Sequence, residues 1–204
     1  MSGKTAVYRI LFVLIIALSF AACENSTENN PAPDNTKTFP NKVGDKWIYA
    51  VHDSVTNSED TLTISIVGTT TGNGKNLTVW TRKSNFYNDT LYVFIDNNTV
   101  YYYTDSYPNV IDNKIVFPLE VGKYWQNPDL ISDSSKVTAK EPVNVPAANF
   151  TDAYRIERNW SSFNVYGHSV TWFVDNVGIV KEYLRIQGFD NIRQTWELLD
   201  YTLQ

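Results

Sequence analysis

Two histidines are the only side chains here whose ordinary chemistry suits a general base near neutral pH. Asp53 and Ser54 follow His52, and Ser169 follows His168, which are the residue types of a hydrolase triad. Adjacent residues of a strand point to opposite faces, so these neighbours form no dyad by themselves. Ser169 also lacks the second glycine of G-x-S-x-G. We therefore predict no catalytic residue; a hydrolase would need a histidine beside carboxylates in a cleft.

Metal and phosphate chemistry have little support in the sequence. A zinc site needs closely spaced Cys and His, but the chain has one cysteine, Cys23, and two separated histidines. Asp96 and Asp175 each precede a turn, where Asp caps its own backbone. The segment GTTTGNGKN lacks the first glycine of a phosphate loop, and Asn76 follows Lys75 where Ser or Thr is needed. We predict no metal and no cofactor, and interpret this segment as a hairpin.

Aromatic residues are abundant, with six Trp and thirteen Tyr. In the run Tyr101-Tyr102-Tyr103, strand alternation places Tyr102 on one face and its two neighbours on the other. Exposed aromatic rings can stack on sugars or line an apolar pocket. Tyr101 and Tyr103 are therefore candidate ligand contacts, the alternative being a sheet packed on both faces.

The N-terminal segment has the pattern of a secretory signal peptide, residues 1–22. Lys4 and Arg9 precede an apolar run of eleven residues, and the small residues Ala21-Ala22 follow. Eleven residues are too few for a bilayer span, which needs about 20. Cys23 comes next, and here the sequence resembles bacterial lipoproteins, in which this cysteine becomes the acylated N-terminus. The resemblance implies lipid attachment at Cys23; an anchor helix or a free thiol are the alternatives.

Residues 23–38 are predicted to be a flexible tether. From Glu24 to Thr38 no apolar side chain is larger than alanine or proline, so the segment cannot form a core. Cleavage before Cys23 removes two basic residues, Lys4 and Arg9, and leaves a net charge of 15 − 22 = −7. That charge disfavours nonspecific binding to nucleic acid or to an anionic membrane surface. A single cysteine also allows no internal disulfide.

The motif F-P-x-x-V-G-x-x-W occurs twice, beginning at Phe39 and at Phe117. A second block, F-[IV]-D-N, recurs at nearly the same offset. We predict a single β domain, 39–204, built of two repeats, 39–116 and 117–204. The motif is interpreted as structural: its glycine permits a tight turn, and its Phe, Val and Trp are expected to face one core.

Short β-type segments fill the rest of the chain. Residues 61–66 (TLTISI) alternate with period two, and Gly72-Asn73-Gly74 offers the positive φ of a hairpin turn. We count about ten strands and no amphipathic helix. The predicted fold class is all-β, with antiparallel sheet or sheets forming an open barrel or a sandwich.

The folded region resembles uncharacterised envelope lipoproteins of Gram-negative bacteria. The resemblance rests on Ala21-Ala22-Cys23, the polar tether, the repeated motif, VPAANFTDAYRIE and FVDNVGIVKEY. It implies an all-β fold anchored by lipid in the envelope, at the outer membrane on its periplasmic or surface side, and it implies no activity.

The leading functional hypothesis is non-enzymatic binding or scaffolding by a lipid-anchored envelope protein. The alternatives are a carrier or sensor of apolar molecules with a barrel cavity, and surface glycan binding through exposed aromatics. The expected partner is the membrane, through the N-terminal lipid, and not nucleic acid; a protein, a glycan and an apolar ligand all stay open.

Overall fold

Twelve antiparallel strands form one sheet in the computed structural model, which describes residues 35–104, 111–127, 132–162, 164–188 and 191–204. The strands are β1 (Lys46–Asp53), β2 (Ser58–Gly72), β3 (Lys75–Lys83), β4 (Asn88–Asp96), β5 (Thr99–Tyr103), β6 (Asn113–Val116), β7 (Tyr124–Gln126), β8 (Ser132–Val145), β9 (Ala148–Ser162), β10 (Val165–Val174), β11 (Gly178–Gln187) and β12 (Ile192–Thr202). The all-β prediction is confirmed, although about ten strands was too few. The predicted signal peptide, 1–22, and Cys23 lie outside the described residues.

The strand order makes the sheet nearly closed on itself. It runs β6-β5-β4-β3-β2-β1-β12-β11-β10-β9-β8-β7, so the first and last strands pair in the middle and β6 and β7 are the edges. Side chains bridge these edges: Trp125 Nε1 donates to the Lys114 carbonyl oxygen at 3.0 Å, and Asn127 Nδ2 to that of Ile111 at 2.8 Å. Of the two predicted architectures, the structure is therefore the open barrel and not the sandwich.

Strand alternation separates an inner from an outer face. In β1 the buried positions are Trp47, Tyr49, Val51 and Asp53, and the residues between them are more exposed. This is the period-two pattern of a strand with one face in a core. Because all neighbouring strands are antiparallel, odd-numbered strands begin at one end of the barrel and finish at the other.

A single 3₁₀ turn, Asn35–Thr38, leads into the barrel. Thr36 is buried, its carbonyl oxygen accepts from the Phe39 amide at 2.8 Å, and the Thr38 carbonyl oxygen accepts from the Asn176 amide at 2.7 Å. The predicted flexible tether, 23–38, therefore differs from the structure at its end, where Thr36 and Thr38 are held by hydrogen bonds, while residues 23–34 lie outside the described residues. In the part of the chain described, no helix is long and apolar enough to span a bilayer.

The two motif copies form similar turns. Gly44 and Gly122 have φ of 100° and 96°, and their amides donate to the carbonyl oxygens of Ile66 and Val137 at 2.9 and 2.8 Å. The tight turn predicted at each glycine is confirmed, because only glycine adopts such φ angles freely. We call the end of the barrel that carries these two turns the motif end.

The valine of each motif does not face the core, contrary to the sequence-based expectation. Val43 and Val121 are 51% and 60% exposed. Each stands directly before the glycine with positive φ, at the tip of the turn, where no strand covers it. Their position in the motif therefore reflects the turn and not the packing of the interior.

Aromatic rings in stacked and edge-to-face contact fill the interior at the motif end. Ring centroids of Trp47 and Trp80 lie 5.2 Å apart, and Phe39 lies 5.8 Å from Trp80 and 6.2 Å from both Phe117 and Phe173. Such offset contacts add to the hydrophobic burial of each ring. The expectation that both motif copies contribute to one core is confirmed. The duplication of an 80-residue unit stays a prediction.

Candidate functional site

The opposite end of the barrel, which we call the far end, carries the turns that contain Ser54, Ser84 and Asn164. The interior there becomes polar. Gln194 Oε1 accepts from the Tyr87 hydroxyl at 2.8 Å and from Trp196 Nε1 at 3.2 Å, while Gln194 Nε2 donates to Asp53 Oδ2 at 3.2 Å. Because both the oxygen and the nitrogen of the Gln194 amide are hydrogen-bonded, we interpret these side chains as a structural network.

Two arginine–aspartate pairs line the same interior. Arg82 makes two bonds to Asp89, at 2.8 and 2.6 Å. Arg158 makes two to Asp133, at 2.9 and 2.8 Å, and both side chains of that pair are nearly buried. A bidentate pair neutralises the guanidinium and fixes its orientation. Neither arginine is therefore left open for a ligand.

Glu182 lies on the inner face of β11, between these two pairs. Burial raises the pKa of Glu182 to about 7 from 4.5, while Arg82 and Arg158 act in the opposite direction. Among the described residues, Glu182 makes no hydrogen bond or ion pair, and its side chain is only half-buried. The Glu182 carboxyl is therefore a half-buried acid without a partner among the described residues.

Each histidine contacts a residue of a neighbouring strand rather than the residues that follow it in the sequence. His52 Nδ1 lies 2.7 Å from Glu59 Oε1, across the β1–β2 pair, and His168 Nδ1 lies 3.0 Å from Asn159 Oδ1. Ser169 is buried on the inner face, away from His168. Within the described ranges, no three His, Cys, Asp or Glu side chains come together as metal ligands.

Tyr101 and Tyr103, the candidate ligand contacts, share one face as alternation requires, with Tyr102 on the other. Tyr101 is half-buried and stacks on Phe94 at 6.1 Å. Tyr103 is 2% exposed, and its hydroxyl accepts from Lys75 Nζ at 3.2 Å. Burial leaves Tyr103 little surface for a ligand, and a ligand contact at Tyr101 stays a prediction.

Two neighbouring clefts open at the far end. The larger, which we call the β9–β11 cleft, has a volume of about 630 Å³. Its lining is Ser132, Asn159, Trp160, Ser161, Tyr166, Gly167, His168, Arg185 and Gln187. The smaller, the β11–β12 cleft, has about 360 Å³ and is lined by Ser54, Val55, Arg185, Ile186, Gln187, Asn191, Ile192 and Arg193. Arg185 and Gln187 belong to both, so the clefts meet there.

The larger cleft combines one accessible ring with many hydrogen-bonding groups. Tyr166 is 61% exposed, the highest value among the large hydrophobic side chains of the described residues. Asn159, His168, Arg185 and Gln187 supply amide, imidazole and guanidinium groups around it. No carboxylate belongs to the described lining of either cleft. The arrangement fits reversible binding of a polar ligand.

Sequence reasoning missed Tyr166, Arg185 and Arg193. Each stands in an alternating β segment, which indicates a strand position but not what lies beside it on the next strand. The sequence does show that Arg185 and Arg193 lie on the polar face of the last two strands. That pattern alone does not distinguish a binding site from a solvated surface.

Comparison with known proteins gives distant structural likenesses. No protein-family model and no curated protein matches the chain. A "putative exported protein with YmcC-like fold" from Bacteroides fragilis NCTC 9343 has 13% identity and a TM-score of 0.48. A "putative lipoprotein" from Parabacteroides distasonis ATCC 8503 has 14% identity and a TM-score of 0.43. Each alignment covers 81% of this chain and 98% of the other. Likenesses of this degree assign no activity to this chain.

Proposed function

We propose that this chain is a lipid-anchored cell-envelope protein that binds a carbohydrate without catalysing a reaction, and that the β9–β11 cleft is its site. The observation that carries the proposal is the cleft itself, with the exposed ring of Tyr166 among hydrogen-bonding side chains. A volume of about 630 Å³ falls within the range of ligand sites, about 300–1,000 Å³.

A sugar fits this combination of groups better than a purely apolar ligand. One face of a pyranose ring is rich in C–H groups and stacks on an aromatic ring, while its hydroxyls donate and accept hydrogen bonds. Asn159, His168 and Gln187 offer both donors and acceptors near Tyr166. The proposal thus assigns glycan binding through an exposed aromatic ring to Tyr166, while a ligand contact at Tyr101 stays a separate prediction.

An apolar cargo inside the barrel is less favoured. Aromatic rings pack against one another at the motif end. At the far end the inner face carries Glu182 and the two arginine–aspartate pairs. Enclosing an apolar molecule there would remove water from these groups at a cost of several kcal/mol per unpaired charge.

Attachment to the outer membrane through Cys23 is part of the proposal. Its support is the signal-like segment 1–22 directly before the cysteine. The chain enters the barrel at the motif end, and β1, with eight residues, spans about 26 Å towards the far end. The clefts therefore lie at the end of the barrel opposite the entry of the chain.

The test is calorimetric titration of the full chain, purified in detergent, with a panel of neutral and acidic oligosaccharides. Tyr166→Ala is expected to weaken binding of whichever saccharide the wild type binds. Tyr124→Ala is the matched control, because Tyr124 is 55% exposed but lies on β7, outside both clefts. Absence of binding across the panel, or equal effects of the two substitutions, would contradict the proposed function.

A further inference from the structure

A row of basic side chains crosses the outer face of the sheet at the far end. The register pairs Asn159 with His168, His168 with Arg185, and Arg185 with Arg193. These residues come from four successive strands, β9 to β12, and therefore lie side by side. With strands about 4.8 Å apart, the three basic groups span about 10 Å.

The two arginines of this row lack the carboxylate partners that the other described arginines have. Within the described ranges, Arg82, Arg155 and Arg158 each form an ion pair, whereas Arg185 and Arg193 form none. The Nε–H of Arg185 is buried and has no acceptor.

Among the residues that the structure describes, the nearby carboxylates on the same face are already engaged. Glu157, two residues before Asn159 on β9, bonds to Arg155, and Glu197 on β12 accepts from Lys181 Nζ at 2.6 Å. The lining of both clefts contains no Asp or Glu among the described residues. Positive charge is thus concentrated at this place in a protein whose net charge is −5.

This arrangement is unfavourable in the ligand-free protein. Like charges directly opposite each other on neighbouring strands destabilise a sheet. A buried donor without an acceptor adds a desolvation cost. Local arrangements that oppose stability are typical of binding sites, where the missing partner is the ligand. An anion lying along the row would offset the repulsion between Arg185 and Arg193.

We propose that the ligand of the β9–β11 cleft is an acidic glycan, whose carboxylate groups bind Arg185 and Arg193 while a sugar ring stacks on Tyr166. This inference rests on the proposed function and names its substrate class. The planar fork of a guanidinium matches a carboxylate in two parallel hydrogen bonds. Because the row is at the junction of the two clefts, a chain of several sugars can contact both arginines.

Two other polyanions fit less well. Nucleic acid would meet the negative charge of the remaining surface, which opposes association outside the row. The same negative net charge opposes association with a surface of anionic lipid headgroups.

The experiment uses hexagalacturonate and its methyl ester, in which methylation removes the negative charge of the carboxyl groups and leaves the sugar chain the same. Calorimetry of the full chain should show binding of the acid that weakens as salt is added, and much weaker binding of the ester. Arg185→Gln and Arg193→Gln should each reduce affinity for the acid by at least about tenfold, the loss of a charged hydrogen bond. Arg155→Gln is the matched control, since Arg155 is a paired arginine on β9 outside both clefts.

Thermal unfolding separates a binding defect from a folding defect. Arg185→Gln should unfold at the same or a higher temperature than the wild type, because it removes the repulsion with Arg193. A lower unfolding temperature would contradict the argument that this position opposes stability.

The experiments distinguish a failure of the acidic-glycan proposal from a failure of carbohydrate binding as such. One such result is equal binding of the acid and the ester that depends on Tyr166 but not on Arg185. That result would overturn the proposal of an acidic ligand and leave the proposal of carbohydrate binding intact. Tighter binding of a single-stranded DNA oligonucleotide than of hexagalacturonate would overturn the glycan in favour of nucleic acid. Binding of no saccharide at all would overturn both proposals.

Discussion

Replacing Glu182 by Gln tests the polar interior through the pH dependence of folding stability. A rise of the Glu182 pKa from 4.5 to about 7 equals about 3 kcal/mol, at about 1.36 kcal/mol for each unit. Since the side chain is half-buried, solvent screening reduces the expected contribution to about 1–2 kcal/mol. Between pH 4.5 and 7 the folded protein holds a proton that the unfolded chain releases. The free energy of unfolding of the wild type should therefore decrease as pH rises through this window. At higher pH, Glu182 should cause little further change.

Glutamine resembles the protonated carboxyl and does not titrate. Glu182→Gln should match the wild type near pH 4.5 and exceed its free energy of unfolding by about 1–2 kcal/mol at pH 8. Urea unfolding followed by tryptophan fluorescence, from pH 4.5 to 8.5, measures this difference. Glu120→Gln, at an exposed turn position, is the control and should follow the wild type. Wild-type and Glu182→Gln curves that stay parallel over the whole range would refute the reasoning.

Three further substitutions test the core, the cleft and the anchor. Trp47→Ala should lower the free energy of unfolding by about 3–5 kcal/mol in urea, because Trp47 is 2% exposed within the stacked core; a loss below 1 kcal/mol would contradict this packing. Gly167→Ala would place its methyl carbon 1.9 Å from a ring atom of Trp160, so it should shift tryptophan fluorescence and cost about 1–3 kcal/mol. Gly68→Ala, with open space around it, should do neither. Cys23→Ala should remove the lipid and leave the protein in the soluble fraction. A variant that stays with the membranes and whose N-terminal peptide keeps the acyl mass shift of the wild type would refute lipidation at Cys23.

The fold class was predictable because many strands carry strong local patterns. The alternation of residues 61–66 and the positive φ at Asn73 and Gly74 appear in the structure as a strand and its hairpin turn. The strand number was not predictable, since β6 and β7 have four and three residues, too few to show a period of two. The exposure of Val43 and Val121 was missed because a motif gives residue types and not the direction of each side chain at a turn.

The candidate site depends on strand register, which a single sequence does not give. Arg185 and Arg193 are opposite each other because of the way β11 and β12 pair, and a shift of one residue would place one of them on the inner face. Glu182 also appears in the sequence as an ordinary polar residue of an alternating segment. Its setting between Arg82 and Arg158 arises only when distant strands meet in the closed sheet.

The most direct test of the account is the NMR signal of the Arg185 Nε–H during titration of the full chain with hexagalacturonate. That signal can be assigned by its loss in Arg185→Gln. The account predicts that the Arg185 signal moves and saturates with the binding isotherm, while that of Arg155, outside both clefts, stays in place. Saturable binding that leaves the Arg185 signal unmoved, or no binding at all, would contradict the claim that this end of the barrel is an acidic-glycan site.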